Sequence, residues 1–210
     1  MNHFILAHEG AIRFVFFFSI LALMAIWEVL APRRKLNTSK KVRWYSNLGL
    51  VFIDTLAVRL LLPVQAMGTA LFVEHRGWGI LNNVSLPDWM AVVIGIVGLD
   101  FVIYLQHAMF HAIPAFWRLH RVHHTDLDFD VTTGVRFHPI EIFLSMGIKM
   151  ATVFVLGINA TAVVIFEVLL NATSMFNHGN VLLPAPIDRV GATLRCHARN
   201  ASGPSFCFDS

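Results

Sequence analysis

Histidines concentrate in one short stretch of the chain and follow helical spacings there. The stretch 100–138 holds six of the eleven histidines, in the patterns His-x3-His and His-x2-His-His: His107, His111, His120, His123, His124 and His138. Because residues three and four apart share one face of an α-helix, this spacing predicts two histidine-bearing faces. Two such faces brought together would surround one small volume with imidazoles. That is the geometry of a metal site, and imidazole suits zinc, copper, iron or nickel rather than magnesium or calcium.

Acidic residues near these histidines are candidate partners for their second ring nitrogens, since a metal-ligating histidine usually donates that N–H to a carboxylate or carbonyl. Asp100 shares a helical stripe with His107 but lies one turn too far to reach it, so it could serve a histidine of a neighbouring element. Asp126, Asp128 and Asp130 follow the second cluster. Either one or two of them orient histidines, or the three form a solvated acidic turn that balances nearby arginines.

The composition indicates an integral membrane protein of one domain. Of the 210 residues, 56% are hydrophobic and 14% are charged, against about 25% charged in ordinary soluble domains. The sixteen Lys and Arg residues cluster beside apolar runs. We therefore interpret them as topology signals and expect no nucleic-acid partner. Both cysteines, Cys196 and Cys207, lie near the end of the sequence, so its body predicts no disulfide framework.

The apolar runs predict an all-α integral membrane protein with about four to five transmembrane or re-entrant helices and a cytoplasmic, histidine-rich helical cap. The first run, 14–31, approaches the length of a span. Glu28 within it and the lack of a basic leader favour an anchor over a signal peptide. Segment 32–43 carries six Lys or Arg in twelve residues. By the positive-inside rule it is cytoplasmic, which places the amino terminus outside.

The remaining runs bring the histidines to one side. A second span is predicted over 46–73, and a third helix from Trp89 returns to the cytoplasm near His107. Residues 139–177 as one helix would be about 58 Å long, twice the hydrocarbon thickness. We therefore predict a helical hairpin with its break at 156–159, which returns His178 to the side of the other histidines.

Three segments follow from this pattern. Residues 1–43 form a transmembrane anchor with a basic cytoplasmic loop, and residues 44–190 form the membrane domain. Residues 191–210 are polar, rich in small residues and without period, which predicts a disordered tail.

Two metal-dependent alternatives can be compared with the motifs. His-Glu-x-x-His is absent from the sequence, so a zinc peptidase of that type would lack its general base. A haem could be held by two histidines from opposing helices. That interpretation leaves the adjacent His123 and His124 unexplained.

The motifs HAMFH, HRVHH, TDLDFDVTTGVRFHPIE and FNHGNV resemble the sterol desaturase/fatty acid hydroxylase superfamily of membrane di-iron oxygenases, over about residues 40–190. The resemblance implies two Fe ions, O2 as co-substrate, an external redox protein as electron donor, and hydroxylation or desaturation of a lipid C–H bond. It implies a multi-pass protein of the bacterial inner membrane with its histidines on the cytoplasmic side. The implied ligands are His107, His111, His120, His123, His124 and His178, with His138 a ligand or a close neighbour of one and Asn177 a further candidate partner.

The sequence departs from the family pattern after the FNH element, where a third cluster, another His-x2-His-His, is expected. His197 is the one histidine beyond His178. Without the cluster two irons would lose about three ligands, and we expect no catalysis from the sequence as written. The protein would then be an inactive relative, a non-catalytic membrane metal-binding protein or, in a third interpretation, a haem-binding membrane subunit.

The tail offers an explanation for the missing cluster. Residues 200–206 can be encoded as AAC GCA TCG GGT CCA TCA TTC. Read one base later, these letters encode Thr-His-Arg-Val-His-His-Ser, which matches HRVHHT at 120–125. We therefore hypothesise a single-base slip near codon 190, natural or introduced by sequencing.

Overall fold

The computed structural model describes residues 7–126 and 128–183, so the predicted tail and His197 lie outside the described residues. Seven α-helices lie within this part of the chain: α1 (Glu9–Leu30), α2 (Lys40–Leu61), α3 (Ala66–Arg76), α4 (Asp88–Ala112), α5 (Pro114–His124), α6 (Pro139–Leu156) and α7 (Ala160–His178). Two short 3-10 helices, Leu81–Asn83 and Val131–Val135, lie in the connections.

Five helical stretches are long and apolar enough to cross a membrane: α1, the stretch Lys40–Asn83 that contains α2 and α3, α4, α6 and α7. Large apolar side chains point away from the protein along these helices, among them Phe14, Leu60 and Val97. An apolar outer surface of this extent suits lipid rather than water. The prediction of an all-α integral membrane protein is confirmed.

The second predicted span lies within the candidate spanning stretch Lys40–Asn83, but it is not one continuous helix. The stretch predicted over 46–73 is divided between α2 and α3, and the break lies at residues 62–65. Pro63 explains it, because proline lacks the N–H of a helical hydrogen bond and disfavours helical geometry at the residue before it. Leu62 accordingly has a non-helical backbone, with φ −121° and ψ 84°.

The predicted hairpin over 139–177 is confirmed as α6 and α7, with the break at Gly157–Asn159. Gly157 ends α6 in the left-handed conformation, with φ +71°, and the Asn159 side chain caps α7 by accepting from the Ala162 N–H at 2.8 Å. Gly79 packs on this turn so closely that a Cβ on it would lie 2.2 Å from the Gly157 nitrogen. Two glycines therefore allow the connection after α3 to touch the hairpin turn.

The interior forms two apolar clusters. The larger one joins α3, α4, α6 and α7 around residues such as Leu99, Val153 and Phe166. The smaller one packs α1 against the second 3-10 helix and the end of α7, through Met24, Val131 and Met175 among others. The smaller cluster lies beside the histidines, so α1 and the 3-10 helix belong to the framework of the candidate site.

Candidate metal centre

Six histidines converge in the structure, and they come from the ends of three helices: His107, His111, His120, His123, His124 and His178. His107 and His111 lie in the last turns of α4, and α5 begins directly after it at Pro114. Proline suits the first position of a helix, where its missing N–H would have no partner. α5 carries the second cluster, and α7 ends at His178. The predicted sharing of helical faces is confirmed: the Nε2 atoms of His107 and His111 lie 3.2 Å apart.

His107, His111 and His120 form the first group. Their ligand atoms all lie within 4.8 Å of one another, and the ring centroids of His107 and His120 are 4.7 Å apart. His120 is fully buried, and its Nδ1–H donates to Glu141 Oε1 at 2.7 Å. Its Nε2 is buried without a hydrogen-bond partner among the described residues. A buried lone pair of this kind is costly unless something binds it.

His123 and His178 form the second group, across α5 and α7. The His123 Nδ1–H donates to the Arg136 carbonyl at 3.2 Å, and the His178 Nδ1–H donates to the Ser174 carbonyl at 2.8 Å. These bonds fix the tautomers, so each imidazole carries its lone pair at Nε2. The two Nε2 atoms lie 2.9 Å apart. With these tautomers the two lone pairs face each other, and a cation between them would be favourable.

His124 lies between the groups. Its ring centroid is 4.9 Å from that of His111 and 5.0 Å from that of His123. Burial and the neighbouring imidazoles lower the pKa of His124 to about 4. Burial and the imidazoles of His178 and His124 lower the pKa of His123 to about 3. Both rings are therefore neutral near pH 7 and can donate a lone pair to a metal.

The spacing of these nitrogens fits metal coordination. With metal–imidazole bonds of about 2.0–2.1 Å, two ligands at right angles place their nitrogens about 3 Å apart. The separations of 3.2 Å in the first group and 2.9 Å in the second match this value. The three ligand atoms of the first group therefore fit a metal ion.

One side of the site is open. His107, His111 and His124 each keep an exposed side although the other side of each ring packs against imidazoles, whereas His120 and His123 are buried. The Trp117 indole lies at this open side, with its centroid 5.3 Å from His111 and 5.5 Å from His124. The exposed imidazoles thus face a space that further ligands can enter.

The structure does not bring His138 to the other six. Its Nδ1 accepts from the Ile140 N–H at 3.1 Å and caps α6, and among the described residues its ring contacts none of the six. Asp100 and Asn177 are both exposed, and within residues 7–126 and 128–183 neither is hydrogen-bonded to a histidine. The suggested orienting roles of these two residues have no contact to support them.

Asp126 and Asp128 bind other groups than histidines. Asp126 pairs with Arg43 Nε at 2.8 Å, and Asp128 accepts from the backbone N–H groups of Asn37 and Thr38, each at 2.7 Å. Burial works to raise the pKa of Asp126, but hydrogen bonds from Arg43 and two other side chains outweigh it and hold the pKa at about 2. These carboxylates are neither the solvated turn nor the histidine partners that the sequence offered as alternatives.

Asp126, Asp128 and Asp130 instead join Arg43 in a buried network of ion pairs and hydrogen bonds. Arg43 is 5% exposed, contacts Asp130 at 3.0 Å and also donates to the Asp128 carbonyl. Asn47 donates to Asp126 at 3.1 Å and accepts from Arg136 at 2.8 Å. Arg136 in turn donates to the Val122 carbonyl at 2.9 Å. The network thus connects α2 to the last turn of α5, where His123 and His124 lie.

Sequence reasoning missed Glu141, the carboxylate that orients His120. The two residues are 21 positions apart, and their contact depends on how α5 crosses α6. A signal was available: Glu141 is a lone charge near the start of an apolar helix. Such a residue usually faces the protein interior and has a partner there.

Comparisons with known proteins identify the family of this chain. A sequence model of the fatty acid hydroxylase family matches residues 92–200, more than half of the 210 residues. The chain is also similar to the ornithine lipid hydroxylase OlsE of Rhizobium tropici, with 23% identity over 192 residues that cover 87% of this chain and 57% of the relative. The chain thus spans little more than half the length of that protein. No solved structure matches. The match over residues 92–200 includes all six converging histidines, and the chain belongs to the fatty acid hydroxylase family.

Proposed function

We propose that the protein is a membrane di-iron enzyme that hydroxylates a C–H bond of a lipid. The observation that carries the proposal is the close approach of imidazole Nε2 atoms, at 3.2 Å in one group and 2.9 Å in the other. Each group includes a histidine at the end of a helix that is long and apolar enough to cross a membrane, α4 in the first group and α7 in the second. A lipid in the bilayer can reach such a site without entering water.

The residues divide into two ligand groups. His107, His111 and His120 would hold one iron and His123 and His178 the other, with His124 between them. When bound, the irons would supply the activation of O2. Hydroxylation inserts one oxygen atom into the C–H bond and releases the other as water, which consumes two electrons and two protons. We expect an external redox protein to deliver the electrons.

The relative's name indicates which lipid to test first. The chain is similar to an ornithine lipid hydroxylase, so we propose a lipid with an amino-acid headgroup as the first candidate. A sterol and a simple fatty acyl chain are the other candidates, and desaturation is the alternative outcome. Because the relative is bacterial, we place the protein in a bacterial inner membrane with the histidines on the cytoplasmic side.

The six converging histidines are fewer than two irons need, because each would still lack ligands. We propose that the third cluster, Thr-His-Arg-Val-His-His-Ser, is encoded one base out of frame within residues 200–206 and that the sequence as written is inactive. Sequencing the coding DNA across codons 185–215 tests this directly. A slipped base whose correction restores the cluster supports the proposal, and DNA that encodes the tail as printed refutes it.

A non-catalytic metal-binding protein is the second candidate, favoured by the present number of ligands. The haem interpretation has less support. Two histidines on opposite sides of one haem iron would place their nitrogens about 4 Å apart, twice a metal–imidazole bond, whereas the close pairs here are 2.9 and 3.2 Å apart. A haem subunit would also show a Soret absorption band, which provides a simple check.

Metal content and turnover separate the candidates. We would purify the chain with its corrected carboxyl terminus, measure iron and zinc by mass spectrometry, and follow lipid products under ¹⁸O2 with a chemical reductant. Two irons per chain and one ¹⁸O atom in the lipid would support the hydroxylase. Zinc or no metal, with no ¹⁸O in the product, would refute it.

A further inference from the structure

A recess of about 390 Å³ lies beside the end of α1, on the side of the molecule that carries the histidines. Apolar side chains such as Val29 and Leu36 line part of it, and three basic side chains, Arg34, Lys35 and Lys40, line the rest. The basic residues belong to the segment that the sequence identified as a topology signal. The structure adds that three of them surround one concave space.

Tertiary hydrogen bonds hold the walls of the recess. The Asn180 side chain, 6% exposed, donates to the Arg34 carbonyl at 2.8 Å and accepts from the Arg34 N–H at 3.1 Å. The Leu182 N–H also donates to the Ala31 carbonyl at 2.8 Å. Hydrogen bonds thus join the segment after α1 to the segment after α7. These tertiary contacts fix the shape of the recess.

The recess is positively charged. Glu28 is its one acidic side chain beside three basic ones. That carboxylate is already engaged, because one oxygen accepts from the N–H groups of Val131 and Asn180 and the other lies 3.2 Å from Lys40 Nζ. Arg34 and Lys35 are exposed, and neither forms an ion pair within the described part of the chain. An anion in the recess would therefore meet two available cations.

Apolar surface adjoins this charge. Val29 is 70% exposed and Leu30 is 78% exposed, and both lie on the last turn of α1, a helix long and apolar enough to cross a membrane. Polybasic segments beside a membrane span attract anionic lipids. We propose that the recess binds the anionic headgroup of a membrane lipid, through its phosphate or carboxylate, with the acyl chain lying against Val29 and Leu30.

The recess lies next to the candidate metal centre without sharing a residue with it. The Arg34 guanidinium carbon is 5.8 Å from the centroid of the Phe129 ring, and that centroid is 6.3 Å from the centroid of His178. The Phe129 ring would therefore lie between His178 and a lipid bound in the recess. Its binding requires neither iron nor O2, so the proposal goes beyond the hydroxylase function and is tested separately.

The test uses the full chain in nanodiscs of phosphatidylcholine with a minor fraction of phosphatidylglycerol, and native mass spectrometry to count the lipids that stay bound after release. We expect retained phosphatidylglycerol. A juxtamembrane cation contributes about 1 kcal/mol to anionic lipid binding, which corresponds to about fivefold in affinity. Arg34→Gln and Lys35→Gln should each lower retention by about that factor. Lys41→Gln, which removes an exposed charge from the same segment outside the recess, should not.

Three results would overturn the proposal. Equal losses in the Lys41→Gln and Lys35→Gln variants would indicate general attraction to a basic segment. Equal retention of phosphatidylcholine would show that the anion is not recognised. Displacement of the lipid by millimolar inorganic phosphate would show a simple anion site. His107→Ala should retain the lipid, so a failure of the hydroxylase proposal would leave this result intact.

Discussion

The Nε2 atoms of His123 and His178 lie 2.9 Å apart, although the residues are 55 positions apart in the chain. Each imidazole donates its Nδ1–H to a backbone carbonyl, Arg136 for His123 and Ser174 for His178. Two lone pairs therefore face each other, and a proton is a poor partner for them because burial keeps the pKa of His123 at about 3. A metal ion would satisfy both.

This relationship predicts the effect of removing one member of the pair. His178→Ala should lose one of two bound irons when the corrected chain is loaded under anaerobic conditions, because the second group would keep a single fixed imidazole. His138→Ala is the matched control, since His138 caps α6 and should leave the iron content unchanged. Iron is counted by mass spectrometry of the purified protein. Equal losses in both variants would contradict the assignment of His178.

Glu141→Gln should weaken metal binding without removing a ligand. The Glu141 carboxylate accepts the Nδ1–H of His120 at 2.7 Å, and loss of such a partner typically costs 10–100-fold in metal affinity. Competition with a chromogenic chelator measures this affinity. Glu167→Gln is the control, because Glu167 is also a buried carboxylate of a spanning helix but pairs with Arg13 and Lys149 instead. Unchanged affinity in Glu141→Gln would contradict the proposed orientation of His120.

Arg43→Met should destabilise the whole fold. The side chain lies between Asp126 and Asp130 with 5% exposure, and removal of one partner from a buried ion network costs about 3–5 kcal/mol. The midpoint of thermal unfolding in detergent should fall markedly. Lys41→Met removes a neighbouring but exposed charge and should change the midpoint little. A variant at Arg43 as stable as the starting protein would mean that the network carries little free energy.

Local pattern predicted much of this architecture. The histidine faces followed from spacings of three and four, and the α6–α7 hairpin followed from a run too long for one crossing. The break between α2 and α3 could have been predicted from Pro63 alone. What the sequence could not give were contacts between distant elements. Glu141 meets His120, and Arg43 meets Asp126 and Asp130, only because the helices cross as they do.

The same limit explains the acidic residues. Their closeness to the histidines in sequence made Asp126 and Asp128 candidate histidine partners, yet both turn toward α2 and the segment before it. Because both residues follow the end of α5, their closeness to the histidines in sequence does not determine which way their side chains point. Their partners in α2 and in the segment before it lie 79 to 91 positions away.

The hydrogen bonds to the Asp128 carboxylate predict a specific dependence of the free energy of unfolding on pH. Burial works to raise the pKa of its carboxyl, but the backbone N–H groups of Thr38 and Asn37 outweigh this and hold the pKa below its ordinary value of 3.8. A carboxyl whose pKa is lower in the folded protein than in the unfolded protein stabilises the fold at pH values above its unfolded pKa. This stabilisation is lost as the pH falls through the folded pKa.

Asp128→Asn should therefore be less stable than the starting protein by a constant amount above about pH 5, and the gap should narrow below about pH 4. Thermal unfolding midpoints of the two proteins across this range provide the measurement. Glu74→Gln, at an exposed position outside this network, should show no such narrowing. A gap between the midpoints that stays the same at acid pH would contradict the assigned role of Asp128.

The position of Glu28 has a consequence for protein engineering. Its carboxylate, on the last turns of α1, accepts from the backbone of the second 3-10 helix and from the residue two positions after His178. α1 thus supports the backbone beside the candidate metal centre and is also long and apolar enough to cross a membrane. A chimera with a generic hydrophobic span in its place would still reach the membrane, but it would leave two buried N–H groups without an acceptor beside the histidines.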